Sequence, residues 1–246
     1  MVESVHDQMH STEVMTALSD GLDVLALVIT PEQRELLLRH AAFVLQENAI
    51  HNLTRIVEPL EVIRLHVLDS VTVVPLVRDH APATVLDIGS GAGYPGLPIA
   101  ILTAAHVDVA DSRMKKARFL ESAVSALGLQ VGVYSQRAEE LVALDLRYDL
   151  VVARAVSSLA ALAELAAPLL TAGGHLAAMK AQPSTDELRQ GDAAAVLCGL
   201  KRCDITELVL PGGEERRQII TYERVSRPRV RLPRNPGMAQ RHPLGC

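Results

Sequence analysis

The chain has few aromatic residues and few cysteines. Its 246 residues include no tryptophan, two phenylalanines and four tyrosines. Leu, Val, Ala and Ile must therefore fill the core, and at 49% hydrophobic residues they suffice without covalent staples. Cys198, Cys203 and Cys246 form an odd set without metal-ligand spacing, so reduced thiols are expected and no metal site is. No apolar run reaches the length of a membrane span; the longest candidate, Leu159 to Leu170, is interrupted by Glu164 and Pro168. The opening MVESVHDQMH lacks the basic and apolar regions of a secretory signal. These absences argue against membrane-spanning and disulfide-stapled classes. They leave a cytoplasmic α/β domain with an added helical piece.

Acid exceeds base, with 29 Asp and Glu against 24 Lys and Arg and a net charge of −5. That average argues weakly against a nucleic-acid partner, but it conceals an asymmetry. From Arg216 to Arg241 there are eight arginines and one acid, Glu223. A basic end on an acidic body is the footprint of a polyanion contact, and a solvated tail reads equally well from charge alone. The planar fork of arginine matches phosphate and guanine edges better than lysine does.

Residues 1–80 show helical periodicity and no strand signal. Thr30-Pro31-Glu32-Gln33 reads as a capping box with proline at the first helical position, opening a helix with Leu36, Leu37, His40, Phe43, Val44 and Leu45 on one stripe. A second helix is expected over Leu60 to Val77, burying Ile63, Val67, Val71 and Val74. From Thr84 strands and helices alternate. Strands are expected at Thr84–Ile88, Val107–Asp111, Val131–Ser135, Asp149–Arg154, His175–Lys180, Asp204–Leu210 and Gln218–Arg224. Helices fall near 95–105, 113–127, 137–143, 157–170 and 184–199. This alternation implies an α/β fold with a mainly parallel seven-stranded sheet, helices on both faces, and an antiparallel closing pair around Pro211-Gly212-Gly213. The expected division is a helical region at 1–80, a ligand-binding domain at 81–225 and a basic tail at 226–246.

The stretch VLDIGSGAGYPG, Val85 to Gly96, carries the functional signal. An apolar strand ending in an acid runs into a turn where Gly89, Gly91 and Gly93 allow bare backbone to approach a nucleotide-like ligand. The third glycine of a dinucleotide fingerprint would fall at Tyr94, so that motif is not satisfied. Asp87, just before the loop, can accept loop amides or hold a cationic ligand group. Together these features favour S-adenosylmethionine over NAD. Asp111, about 20 residues after the loop, can take ribose hydroxyls, cap the next helix, or do both. Arg137-Ala138-Glu139 follows the third strand, where a carboxylate and an amide can read an adenine edge, and Arg154 closes the fourth.

The same residues resemble those of the RsmG (GidB) family. The resemblance runs from Asn48-x-x-x-Asn52-Leu53-Thr54 through His66-x-x-Asp69-Ser70, LDIGSGAGYPGLPIAI, DSRMKKARFL, RAEE, ARA and AAMK to LPRNPGMAQRHPL at Leu232–Leu244. It covers about 200 residues, and GSGAGYPG with that tail is its most specific part. Glu47, Tyr94 and Ala181 depart from the family pattern, and none removes a cofactor group. The resemblance implies a Rossmann-like class I methyltransferase with an N-terminal helical extension. It implies methylation of N7 of a guanine in 16S ribosomal RNA, in the 530-loop region, by a cytoplasmic enzyme expected to be monomeric. Its partner would be 16S rRNA or the small ribosomal subunit. Gly89, Tyr94, Ala138, Glu139 and Arg154 would contact the cofactor, with Asp87, Gly91, Gly93 and Asp111 added from the physical reading. Lys115, Arg137 and Lys180 match basic family positions facing RNA, joined by Lys116, Arg229, Arg231, Arg234 and Arg241; for Lys115 and Lys116 a solvated helix face is the alternative. His66 and Asp69 are expected to make a buried polar contact at the domain junction. No general base is expected, because N7 carries no proton to remove. The alternatives are a methyltransferase of this fold acting on a non-RNA substrate, and an RNA-binding relic without activity. Deletion of the tail is expected to spare the cofactor site, since the glycine loop lies outside it.

Overall fold

The computed structural model describes residues 4–245, so Cys246 lies outside the described residues. Helices α1 (Val5–Met9), α2 (Thr12–Val24) and α3 (Pro31–His51) open the chain. The capping box holds as expected: Thr30 Oγ1 accepts from Gln33 N at 3.2 Å, and Gln33 Oε1 accepts from Thr30 N at 2.9 Å. The single helix expected over Leu60 to Val77 is instead broken. It runs as α4 (Pro59–Val62), a π-helical turn at Ile63–Leu68, α5 (Asp69–Val71) and α6 (Val74–His80). Ile63, Val67, Val71 and Val74 are nonetheless fully buried.

Seven strands follow: β1 (Thr84–Ile88), β2 (His106–Ala110), β3 (Val131–Tyr134), β4 (Tyr148–Arg154), β5 (Leu170–Lys180), β6 (Leu200–Val209) and β7 (Arg216–Arg224). Between and after them come α7 (Gly96–Leu102), α8 (Met114–Leu127), α9 (Ala138–Leu141), α10 (Leu159–Ala166), α11 (Thr185–Cys198) and α12 (Met238–Arg241). The strands lie in the order β3-β2-β1-β4-β5-β7-β6. Pairings through β5 are parallel, and β7 is antiparallel to both β5 and β6. β5 starts earlier than the expected His175, and Gly173-Gly174 lies within it, where the register against β4 shifts.

Alternation along the strands assigns the two faces. Val85, Leu150 and Val152 share one core with the N-terminal helices, whereas Leu86, Val151 and Ala153 pack with α10, α11, Tyr222 and Ala239. The helical region thus covers one sheet face, and buried Ala239 brings the end of the chain onto the other. Cys198 is buried, Cys203 is exposed, and both are free thiols. No helix among the described residues is long and apolar enough to cross a membrane.

Candidate functional site

β1 delivers the glycine loop to the point where strand order reverses between β1 and β4, the usual place for a crevice in an open parallel sheet. Gly89, Gly91 and Gly93 have φ of 72°, 62° and 90°, which β-carbon-bearing residues rarely adopt. Their surroundings differ. A Cβ on Gly89 would lie 2.6 Å from Val156 Cγ2, and one on Gly93 2.6 Å from Leu97 Cδ1. On Gly91 the nearest atom would be Lys116 Nζ at 3.4 Å, an ordinary contact with the end of a flexible side chain, so Gly91 is the loop glycine with most room for a Cβ.

Two carboxylates fix this loop. Asp87 Oδ2 accepts from Ser90 Oγ at 2.5 Å and from Gly96 N at 2.8 Å. Its Oδ1 is buried without a partner, and burial pushes the carboxyl up to about 6. Asp111 Oδ2 accepts from Gly91 N at 3.1 Å and its Oδ1 from Arg113 N at 2.9 Å, so it binds both loops at the ends of β1 and β2. Lys116 Nζ stands 4.0 Å from the same carboxylate. Lys116 therefore points into the crevice, whereas Lys115 Nζ donates to Ile50 O at 2.5 Å and ties α8 to the end of α3.

The crevice has three connected parts. A cavity of about 280 Å³ is walled by Gly89, Asp111, Gln136, Ala138, Glu139 and Gln240. It shares Gly89, Lys116 and Ala155 with a second, of about 390 Å³, which reaches Thr54, His66, Tyr94 and Arg154. The second shares Asp69, Arg154 and Arg217 with a third, of about 410 Å³, bounded by Lys180 and Glu187. Arg154 lines the second and third parts rather than the first. Its Nη1 donates to Leu65 O at 3.0 Å and Asp69 Oδ2 at 3.1 Å, and its guanidinium lies 5.5 Å from the centre of the Tyr94 ring. Asp69 also accepts from Arg217 Nε at 3.1 Å. Asp69 thus makes a buried polar contact at the junction with both arginines, and His66 joins it only through Arg154 Nη2, 3.4 Å from its Nδ1.

Tyr94 lies between two imidazoles, at 4.4 Å from His40 and stacked at 5.1 Å on His66. Burial drives both histidines down to about 4, so both are neutral near pH 7. His40 is further tied to Ala92 O at 2.8 Å.

The segment after β7 departs most from expectation. It forms no long helix or strand, as its prolines require, yet it is docked. Arg234 turns inward to a two-pronged pair with Glu164, which is only 3% exposed. Gly237 N donates to Glu139 Oε1 at 2.8 Å, and Gln240 lines the first cavity. The segment therefore packs along the domain and helps wall the first cavity, so its deletion is expected to disturb that cavity rather than spare it. Arg137, Arg229, Arg231 and Arg241 are exposed, while Lys180 is held by Ser157 O at 3.0 Å and Glu187 at 2.7 Å. Sequence reasoning missed Arg217 and Gln240 as crevice residues, and it read Lys116 as facing RNA or solvent rather than the crevice. The last had a signal, because it lies one turn beyond Asp111.

The donor set fits a nucleoside carrying a cationic amino-acid arm. Carboxylates of Asp111 and Glu139 and the first amides of α9 line the first cavity, and the turn Gly89-Ser90-Gly91 lines the second; Asp87 is buried and braces that turn from Ser90 and Gly96. Sheet order, switch-point crevice and this chemistry define a class I S-adenosylmethionine-dependent methyltransferase. The fold recurs in a Pyrococcus horikoshii structure described provisionally as an RNA methyltransferase, with 13% identity, a TM-score of 0.51, and coverage of 63% of this chain and 81% of that one. It recurs too in the structure reporting conversion of a disulfide bond into a thioacetal group during echinomycin biosynthesis, with 18% identity, a TM-score of 0.50, and coverage of 64% and 82%.

The family is narrower still. The profile of GidB, rRNA small subunit methyltransferase G, matches residues 33–220, and the chain belongs to that family. A ribosomal RNA small subunit methyltransferase G of Rubrobacter xylanophilus is 40% identical over 195 residues, covering 76% of this chain and 75% of the relative. One of Lactobacillus helveticus is 34% identical over 224 residues, covering 88% and 93%.

Proposed function

We propose that the protein transfers a methyl group from S-adenosylmethionine to N7 of a guanine in 16S rRNA, in the 530-loop region of the small ribosomal subunit, within the cytoplasm. The observation that carries this reading is the second cavity. It opens beside the glycine loop and beneath Arg154, and its imidazole, His66, is engaged on both nitrogens.

Guanine N7 bears an in-plane lone pair and no proton, so a site for it needs alignment rather than a base. The bound cofactor supplies an electrophilic methyl on a sulfonium. Asp87, Asp111 and the amides of the glycine loop would hold the cofactor; Ala138 and Glu139 would read its nucleoside end. Pre-alignment of the reacting atoms is worth up to ~7–11 kcal/mol. An unpaired or splayed base is required, because the deep major groove of A-form RNA hides N7. Arg154, Arg217 and Lys116 line the entrance, and exposed Arg229, Arg231 and Arg241 are available for phosphate. The proposed organisation is a helical region at 1–80 that covers the target side, a catalytic domain at 81–225 and a basic strap at 226–246. Mass mapping of small-subunit rRNA from a strain lacking the gene tests the reading: one N7 methyl on guanine should disappear, and an unchanged map would refute it.

A further inference from the structure

One hydroxyl on the wall of the second cavity has a direction that hydrogen-bond counting can fix. Thr54 Oγ1 lies 3.0 Å from Ile56 N, which can only donate to it. It also lies 2.8 Å from His66 Nε2. The other ring nitrogen, Nδ1, lies 3.4 Å from Arg154 Nη2. A guanidinium has donors and no acceptor, so Nδ1 accepts, and the proton of the neutral imidazole sits on Nε2. Nε2–H therefore donates to Thr54. Both lone pairs of the hydroxyl are then taken, its O–H alone is left, and no described residue accepts it. The segment is held in place by Asn48 Oδ1, which accepts from Leu53 N at 2.8 Å and Thr54 N at 2.9 Å.

We propose that Thr54 is a specificity-determining residue whose hydroxyl donates to O6 of the target base. The proposal rests on the guanine-N7 reading. Thr54 lines the same cavity as Gly91, Arg154 and Arg217, where the base would stand. O6 lies beside N7 on the same edge of guanine, and adenine places an amino donor there instead. A hydroxyl that can only donate accepts guanine and leaves an adenine amino group without a partner. A neutral donor also suits the product, because methylation at N7 puts positive charge on the ring and a further cation at O6 would oppose it.

The experiment compares wild type, Thr54→Val and Thr54→Ser on small-subunit rRNA with either guanine or 2-aminopurine at the target. The analogue keeps N7 and lacks O6. With guanine, Thr54→Val should lose about 10- to 100-fold in kcat/KM, the scale of one hydrogen bond, while Thr54→Ser stays close to wild type. With 2-aminopurine, wild type should fall by a similar factor and Thr54→Val no further. Affinity for S-adenosylhomocysteine should be the same in all three proteins. If the two losses multiply instead, or wild type handles both bases alike, O6 is not read by Thr54 and the proposal is overturned; a lower melting temperature for Thr54→Val cannot imitate the expected non-additivity. A product other than 7-methylguanosine on the natural substrate would instead bring down the guanine-N7 reading itself, and that outcome is identified separately by nucleoside analysis.

Discussion

Replacing Arg234 with alanine tests whether the C-terminal segment is a working part of the domain. Its guanidinium makes two bonds to Glu164, one of them at 2.6 Å, and a third at 2.7 Å to His242 O. Glu164 is 3% exposed, so the variant leaves a buried carboxylate without its counter-charge. Breaking such a pair from one side costs about 3–5 kcal/mol. At ~2–4 °C per kcal/mol for a chain of this size, that is a loss of about 6–20 °C in melting temperature if the segment stays docked. The segment has an alternative: it can peel away and let water reach Glu164. The global loss is then smaller, and trypsin gains access to the bonds after Arg229, Arg231 and Arg241. Peeling also withdraws Gly237 N from Glu139, so affinity for S-adenosylhomocysteine should then fall. Thermal unfolding, limited proteolysis and calorimetry on one preparation read all three effects. A double replacement, Arg234→Leu with Glu164→Leu, should recover most of the stability, since an apolar pair of similar volume is often neutral. Wild-type melting, protection and cofactor affinity in Arg234→Ala would refute the argument.

Gly91→Val should fold with a modest loss of stability, because the cost is a strained φ of 62° rather than a clash, yet calorimetry should detect no cofactor binding; wild-type affinity would sink the assignment of the open side of the loop. Burial raises Asp87 from 3.8 to about 6, so its contribution to stability is fully present below pH 3.8 and lost as pH rises through 6. Relative to Asp87→Asn, wild-type stability should therefore decline between about pH 4 and 6, and parallel unfolding curves for the two proteins would show otherwise. Removing residues 226–246 should lower the log–log salt slope of RNA binding by ~0.7–0.9 for each phosphate the segment neutralises, and weaken cofactor binding as well. A truncation that left the slope unchanged would take the segment out of the RNA interface. Glu139→Ala should weaken cofactor binding by ~1–3 kcal/mol while also loosening the strap, which protease sensitivity would report.

Much of this architecture is legible in the sequence because its signals are local. The alternation of strands and helices, the capping box at Thr30 and the glycine loop each depend on neighbours within a few residues; all seven strands form, with β5 and β6 beginning several residues earlier than expected. The broken helix at Ile63–Leu68 was not legible, because a π turn leaves the apolar spacing of Ile63, Val67, Val71 and Val74 almost unaltered. Nor was the docking of the strap. Arg234 and Glu164 are 70 residues apart, and no periodicity links an arginine in a proline-broken tail to a carboxylate within an apolar helix. In retrospect, Glu164 was the signal: an acid in the otherwise apolar LAALAELA needs a buried partner. Arg154 and Asp69 are separated by 85 residues, and their pairing likewise emerges only when the helical region folds over the sheet.

On the proposed reading, this crevice methylates guanine N7 in small-subunit rRNA. The most direct test incubates the purified protein with methyl-labelled S-adenosylmethionine and small ribosomal subunits from a strain lacking the gene. The RNA is then digested to nucleosides and mapped by chemical scission at 7-methylguanosine. Label is expected in 7-methylguanosine at a single site in the 530-loop region, and none with Gly91→Val. Label on another atom or another base, or no transfer to rRNA by a protein that binds the cofactor, would contradict it.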